Sequence, residues 1–598
     1  MRATKIFAFM LAAIGAFAAD ARPPAVLIEA EMFASFGGWV DDSQCMDQMG
    51  SPYLLAHGLG VPVADAETVV ELPAPGAYRV WVRTRDWVAT WNAPGAPGRF
   101  QVCIDGTPLA TVFGTEGAEW HWQDGGSAAI AGPRARVALR DLTGFEGRCD
   151  AIVLSADPGF VPPEDQAALA RFRRAALAIP DEPENAGTYD LVVAGGGIAG
   201  MCAALAAARL DLRVALVQDR PVLGGNNSSE VRVWLNGARN VEPFPRVGDI
   251  VKELEHAVRA HYGPENTAEV YEDEKRLALF RGEKNIALFL MWRVNGAEVE
   301  NGAIKAVTAQ HARDGRRLRF AGRLFADCTG DGCVGYLAGA DHEVTPRGHM
   351  GPCNLWHVAD TGAPAPFPRC PWALPLADKP FPGRGKNPGE LLKLGSWYWE
   401  CGFDHDPIDK IEYMRDWNFR AMYGAWDAIK NTDKVFPDHA IAWAAHIAGK
   451  RESRRLLGDI ILTGEDLVSG KKYPDGCVPT GWKIDLHLPD PRYEKGFEGD
   501  AFISVAHYTD YPQPYWVPYR CLYSRNIANL FMAGRDISVT HEALGAVRVM
   551  RTGGCMGEIV GMAAALAGKH STGPRGVYAG HLQELLDLMR AGAGRKSS

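Results

Sequence analysis

Tyr189 to Ser229 reads YDLVVAGGGIAGMCAALAAARLDLRVALVQDRPVLGGNNSS, and almost every residue in it has a physical task. Leu191 to Ala194 is a short apolar run bounded by glycine, the pattern of a buried parallel strand. Gly195, Gly197 and Gly200 then follow with GxGxxG spacing: one for a tight turn, one for close backbone approach to a pyrophosphate, one for helix-on-strand packing. Ile198 to Arg209 is Ala-rich and predicts a helix whose N-terminal N–H groups face that phosphate. Arg213 to Val217 supplies the second strand of a Rossmann-type unit.

At the end of that strand such folds usually place an acid on the adenosine ribose, but this chain has Gln218 followed by Asp219. Gln218 suits an uncharged hydrogen bond to a ribose hydroxyl and Asp219 suits the usual role, and the sequence leaves both open. Gly224, Gly225, Asn226, Asn227, Ser228 and Ser229 bring glycines for close approach and a row of amide and hydroxyl donors.

Three separated blocks resemble the FAD-dependent oxidoreductase family, which has a single Rossmann-type FAD domain and is distantly similar to fumarate reductase flavoproteins. They are GGGIAG with its GGNNSSEVRVW continuation, LFADCTGDG at Leu324–Gly332, and NLFMAGRDISVTHEALGAVRVMRTGGCMGEIVGMAAALA at Asn529–Ala567. The resemblance implies that FAD also contacts Thr329, Gly330 and Asp331, an Ala-Gly-Arg-Asp turn with Gly534, Arg535 and Asp536, and a last helix starting near Thr552 and Gly553. That helix end would stabilise negative charge on the reduced ring. Arg451-Glu452-Ser453-Arg454-Arg455 reads as ion pairing or substrate anchoring. Gly330 to Gly335 repeats the GxGxxG spacing without a second strand behind it, so it belongs to the same FAD site, and no nicotinamide domain is visible.

The 598 residues allow several domains, and a net charge of -9 without a basic stripe argues against nucleic acid as a partner. Residues 1–18 carry Arg2 and Lys5, an apolar run and Ala16-Phe17-Ala18, which together read as a secretory signal peptide. A secreted or periplasmic protein is expected, with no membrane span after the signal is removed. The twelve cysteines form no zinc pattern, and Cys45, Cys103 and Cys149 are the candidates for pairing in an oxidising compartment.

The fold expected is multidomain: an N-terminal all-β sandwich of jelly-roll type, then an α/β Rossmann-type FAD-binding domain with an inserted α+β substrate or cap domain. Residues 26–162 form the sandwich, with alternating runs such as Tyr78–Arg83 and Arg99–Ile104. Residues 163–186 form a helical linker, 187–342 the first part of the FAD domain, 343–520 the cap, 521–570 the return segment, and 571–598 a C-terminal helix and tail. The sandwich resembles carbohydrate-binding modules, which implies a structural calcium on Glu29, Glu31 and Asp150. Tyr53, Trp81, Trp87, Trp91, Trp120 and Trp122 supply rings of the kind that stack sugars, or else fill the core.

Oxidation of an alcohol carbon by flavin needs a base for the hydroxyl proton, and histidine has a suitable pKa. His541 inside the third block is the first choice, with Arg548 and Arg232 as anchors and His349, His357 and His507 as rivals. These features together imply an FAD-dependent oxidoreductase that moves hydride from a carbohydrate or glycoside hydroxyl to flavin N5, with an unknown electron acceptor. The ketone so formed acidifies its neighbouring C–H, so oxidation also prepares an elimination that breaks a glycosidic bond. Two further readings stand beside it: a flavin dehydrogenase or reductase of small carboxylates, and a carbohydrate-binding protein with structural FAD.

Overall fold

The structure is a computed structural model that describes residues 25–493 and 501–594, so the leader read at residues 1–18 lies outside the described residues. Its centre is a seven-stranded sheet. β1 (Glu184–Ala194) lies between β2 (Val214–Gln218) and β6 (Arg317–Asp327), parallel to both, and β3 (Ile286–Leu290) extends the parallel set beyond β2. β4 (Trp292–Glu300) and β5 (Ala303–His311) form an antiparallel hairpin on the other flank. β6 is shared: Arg317–Ala321 pairs antiparallel with β5, while Phe325–Asp327 pairs parallel with β7 (Leu530–Met532). The strand interiors Leu191–Ala194 and Val214–Val217 are wholly buried, as a parallel strand covered on both faces requires.

Two helices cross over this sheet at very short range. α1 (Ile198–Arg209) is almost entirely Ala, Gly and small apolar residues, and α4 (Met550–Lys569) meets it with Gly554, Gly557 and Gly561. A methyl group on Gly557 would sit 2.0 Å from the Ala199 carbonyl oxygen, so only glycine permits this approach. The C-terminal helix Pro574–Ala591 packs on α4.

The cap region is built of short antiparallel pairs, Trp356–Asp360 with His439–Ala444 and Ile484–Pro489 with Ser504–Thr509. Between the members of the first pair runs α2 (Ile411–Asp427), with every residue from Met414 to Asp427 buried.

The N-terminal unit is all antiparallel β. One four-stranded sheet joins Ala25–Glu29, Ala151–Ser155, Gly76–Thr84 and His121–Ile130, and another joins Ala66–Glu71, Arg134–Asp141, Phe100–Ile104 and Thr107–Pro108. Val80, Val82 and Ile152 from the first share one apolar cluster with Val102, Val137 and Leu139 from the second. The helix Gln166–Ala176 links this unit to β1, with Asp165 capping its N-terminus by accepting from the Ala168 N–H at 2.9 Å.

The rings expected to stack sugars are not displayed. Tyr53, Trp81, Trp87, Trp91 and Trp122 are buried. Trp87 and Trp91 lie in a shared core with the cap, their centroids 5.3 Å from Trp372 and 5.6 Å from Trp417. Beside that core sits a buried charge cluster. Arg148 donates to Asp416 at 2.9 Å and to Glu412 at 2.7 Å, while Arg415 bonds Asp42 and Asp416. Arg85, Tyr53 and Trp120 also donate to Glu412, at 3.1, 3.0 and 3.1 Å.

The calcium triad is likewise answered by arginine. Asp150 Oδ2 accepts from Arg83 at 2.8 Å and Arg173 at 2.6 Å, its Oδ1 accepts from Ser51 at 2.9 Å, and Glu29 Oε1 faces Arg173 Nε at 2.9 Å. Asp150 is thus paired with two guanidinium groups. Glu29 Oε2 and Glu31 Oε2 remain buried without partners, and burial pushes Glu29 up to about 7 and Glu31 well above the carboxylate range. Among the described residues the side chains placed to share a metal ion are instead His570, His581 and Glu584. All twelve cysteines are free, and Cys45, Cys103 and Cys149 are buried small apolar residues with no disulfide between them.

Two predictions follow from these charges. Arg415→Ala leaves Asp42 in the interior without its guanidinium partner and should cost about 3–5 kcal/mol in urea unfolding. Because Glu29 holds its proton more tightly folded than unfolded, its contribution is complete below its ordinary value of 4.5 and is lost as pH rises through about 7. Glu29→Gln should remove that part of the pH dependence.

Candidate active site

A cavity of about 400 Å³ opens at the C-terminal ends of β1, β2 and β6, the position where open α/β sheets receive nucleotides. Its floor is the fingerprint turn. Gly195 has φ +97°, and a methyl group there would lie 2.4 Å from the Cys328 carbonyl oxygen. A methyl group on Gly200 would lie 1.8 Å from the Gly195 carbonyl oxygen, which locks α1 onto the turn. Gly197 differs: the nearest atom to its added methyl is the Gly225 Cα at 3.9 Å, so its face is open to a ligand. The Gly196 N–H donates to Gln218 Oε1 at 2.6 Å, and Gln218 Nε2 donates to the Val222 carbonyl at 3.2 Å. The amide of Gln218 is thus committed to the loops around it, and Asp219 is paired with Arg293 at 3.0 Å. Both residues line the cavity.

Gly224, Gly225 and Asn226 line it too, while Asn227 and Ser228 turn away to hold the loop, donating to the Val233 and Gly225 carbonyls at 2.7 Å each. On the β6 side Thr329 Oγ1 donates to Asp327 at 2.7 Å and accepts from the Asp331 and Cys333 N–H groups at 3.2 and 3.1 Å. That ties Thr329, Gly330 and Asp331 into one turn along the cavity. Burial acts to raise the Asp331 carboxyl, but Lys450 and Arg535 outweigh it and hold the group far below the usual range. From the return segment Gly534, Arg535 and Gly553 line the cavity. Asp536 does not; it lies against Asp327, where burial and that neighbour push its carboxyl well up. Arg535 Nη1 and Thr552 Oγ1 are buried donors without a protein partner. An open glycine face, a helix N-terminus and the unpartnered Arg535 donor on the cavity wall are what FAD requires. Gly195, Gly197, Gly225, Thr329 and Arg535 are the residues that would hold it.

The remaining wall belongs to the cap and carries an alternating row of charges. Trp397, Trp482, Tyr262 and Tyr508 supply its aromatic lining. His487 lies between two carboxylates, Nδ1 at 2.9 Å from Glu400 and Nε2 at 3.2 Å from Asp485 Oδ1. Asp485 Oδ2 accepts from Arg548 and from Trp482 Nε1, both at 3.0 Å, and Glu400 is paired with Arg451. Burial acts to raise Glu400 and Asp485; the charges of Arg451 and His487 on Glu400, and His487 and Arg548 on Asp485, keep both acids ionised. Burial lowers the Arg548 pKa below its ordinary value.

Arg548 therefore lines the cavity as expected from its sequence position, but His541 and Arg232 do not. His541 Nδ1 bonds Glu452 at 2.8 Å at the start of α3 (His541–Val547). Arg232 stacks on Trp443 at 3.9 Å and donates to the Ser229 and Asn266 carbonyls at 3.0 and 2.9 Å. His487 and Asp485 line the cavity. Their signal in the sequence was the alternation in Ile484–Pro489, IDLHLP, which puts both polar residues on one face of a strand.

Gly200→Ala and Gly197→Ala separate packing from binding. The first should prevent the turn from closing and give protein without bound flavin. The second should fold, yet bind FAD at least about tenfold more weakly, about 1.4 kcal/mol, when apoprotein is titrated by flavin fluorescence.

Nothing among curated proteins matches this chain. Among solved structures it is similar to a geranylgeranyl bacteriochlorophyll reductase-like protein of Thermoplasma acidophilum, at 12% identity over 68% of this chain and 83% of that one, TM-score 0.32. It is also similar to the Sdh1 complex of Mycobacterium smegmatis in its apo form, at 13% identity over 69% and 77%, TM-score 0.31. A third likeness is to the E. coli quinol fumarate reductase FrdA, at 14% identity over 67% and 74%, TM-score 0.27. The FAD dependent oxidoreductase family matches residues 190–355 and 385–586, more than half of the chain, and the protein is therefore a member of that family and an FAD-dependent oxidoreductase.

Proposed function

We propose that the enzyme oxidises a hydroxyl-bearing carbon of a neutral carbohydrate or glycoside outside the cytoplasm. One observation carries the substrate class: every cation lining the cavity already has a carboxylate partner in the protein. Arg220 pairs with Glu230, Arg293 with Asp47 and Asp219, Lys450 and Arg535 with Asp331, Arg451 with Glu400, and Arg548 with Asp485. A small dicarboxylate would need unpaired guanidinium groups, whereas the aromatic wall of Trp397, Trp482, Tyr262 and Tyr508 suits the apolar face of a sugar ring.

FAD, when bound, supplies the hydride acceptor. The chain supplies proton handling. The form of His487 that acts as base is the neutral one, in which Glu400 fixes the remaining proton on Nδ1 and Nε2, 3.2 Å from Asp485 Oδ1, accepts the substrate hydroxyl proton. Glu400 then balances the charge that forms on the imidazole. Asp485 Oδ1 faces the same Nε2 at 3.2 Å, where its charge stabilises the imidazolium that forms. Arg548 holds Asp485 in place from the other side. A ketone made next to a glycosidic carbon would prepare elimination of that bond. Export rests on the leader at residues 1–18, and the two four-stranded β-sheets within residues 25–155 are read as a jelly-roll type sandwich.

Anaerobic addition of neutral sugars and glycosides to the holoenzyme should bleach its flavin absorbance, and dicarboxylates should not. His487→Ala should slow that reduction by about 10²-fold or more, and His541→Ala should leave it within a few-fold of wild type. Reduction by dicarboxylates but not by sugars would overturn the assignment.

A further inference from the structure

The N-terminal β unit reaches into the cofactor cavity. Ser43 and Gln44 line it, and they precede the short helix Met46–Met49. Gln44 is fixed at both ends of its amide: Nε2 donates to the His446 carbonyl at 2.9 Å and Oε1 accepts from the Ala448 N–H at 3.1 Å. Three residues further on, Asp47 accepts two nitrogens of Arg293, Nε on Oδ1 at 2.8 Å and Nη2 on Oδ2 at 2.5 Å. The third nitrogen of that guanidinium, Nη1, donates to Asp219 at 3.0 Å. Asp219 stands directly after β2, at the strand end where a Rossmann-type unit receives the adenosine ribose. Around this contact Gln310 donates to the Gly50 carbonyl at 2.8 Å and Arg313 to the Phe33 carbonyl at 3.2 Å, so the hairpin of β4 and β5 is the seat of the N-terminal unit.

We infer that the segment Ser43–Asp47 is the cover of the adenosine end of the FAD site, with Asp47 as a positioning residue acting through Arg293 on Asp219. A planar guanidinium held on two edges by one carboxylate has a single orientation, and its remaining edge sets the second carboxylate. Asp47 is supplied by one end of the chain and Arg293 and Asp219 by the other unit, so cofactor retention depends on the docked N-terminal unit. This rests on the reading that FAD fills the cavity floored by Gly195 and Gly197.

The test is titration of full-length apoprotein with FAD and with FMN, which lacks adenosine, followed by flavin fluorescence. Asp47→Asn should weaken FAD about tenfold, the scale of one charge-assisted contact, and leave FMN within about twofold of wild type. Asp47→Glu, which keeps the charge, should recover part of the loss. Gln44→Ala, should Asp47→Asn fail to fold, should show the same loss confined to FAD. Unchanged FAD affinity, or an equal loss for FAD and FMN, would overturn the inference. Gly197→Ala serves as the control: if it too leaves both flavins unaffected, the cavity assignment fails, and not merely the role of the N-terminal segment.

Discussion

Arg148 and Arg415, two guanidiniums with no access to water, bind the N-terminal unit to the cap helix through Asp42, Glu412 and Asp416. Much else in the structure depends on that junction. It keeps Trp87 and Trp91 in contact with Trp372 and Trp417, and it sets the chain from Asp42 onward against the cap loop at His446–Ala448. A buried charge pair is a poor source of net stability compared with apolar residues of the same shape, but it is strict about geometry. Here that strictness fixes how the N-terminal unit meets the cap around their shared core, and the wall of the cavity is part of the joint.

The nucleotide unit was legible because its requirements are local. Gly195, Gly197 and Gly200 have steric jobs that no other residue performs, and they stand within six residues of one another between a strand and a helix. The return segment was legible for the same reason, through its glycines and its Ala-Gly-Arg-Asp turn. The cap residues were not. His487 and Asp485 acquire meaning only from Glu400 and Arg548, more than sixty residues away on either side, and nothing in a linear pattern reports such a meeting. His541 looked stronger because it sits inside a recognisable block, yet it does not line the cavity.

The N-terminal unit misled for a different reason. Aromatic and acidic residues on β-strands carry the same sequence signal whether they face a sugar, a metal ion or another part of the chain. Burial decides between these, and burial depends on α2, more than three hundred residues downstream of Trp87. Glu29 and Asp150 did converge, and Arg83 and Arg173 converged with them into an ion-pair cluster that no spacing announced. An arginine close in space has no fixed distance in sequence.

The divided use of β6 has a consequence for how the protein comes into being. Its first half pairs with β5, a neighbour only a few residues back, while its second half pairs with β7, about two hundred residues ahead. A ribosome therefore delivers a sheet that is closed along one part of this strand and raw along the rest until the whole cap has been made. Contacts of such separation form late, because loop closure must be met before they reward it. The late strand also brings Gly534 and Arg535 to the cavity. The nascent chain thus has a nucleotide turn long before it has a complete nucleotide site, and cofactor capture becomes a step of final assembly.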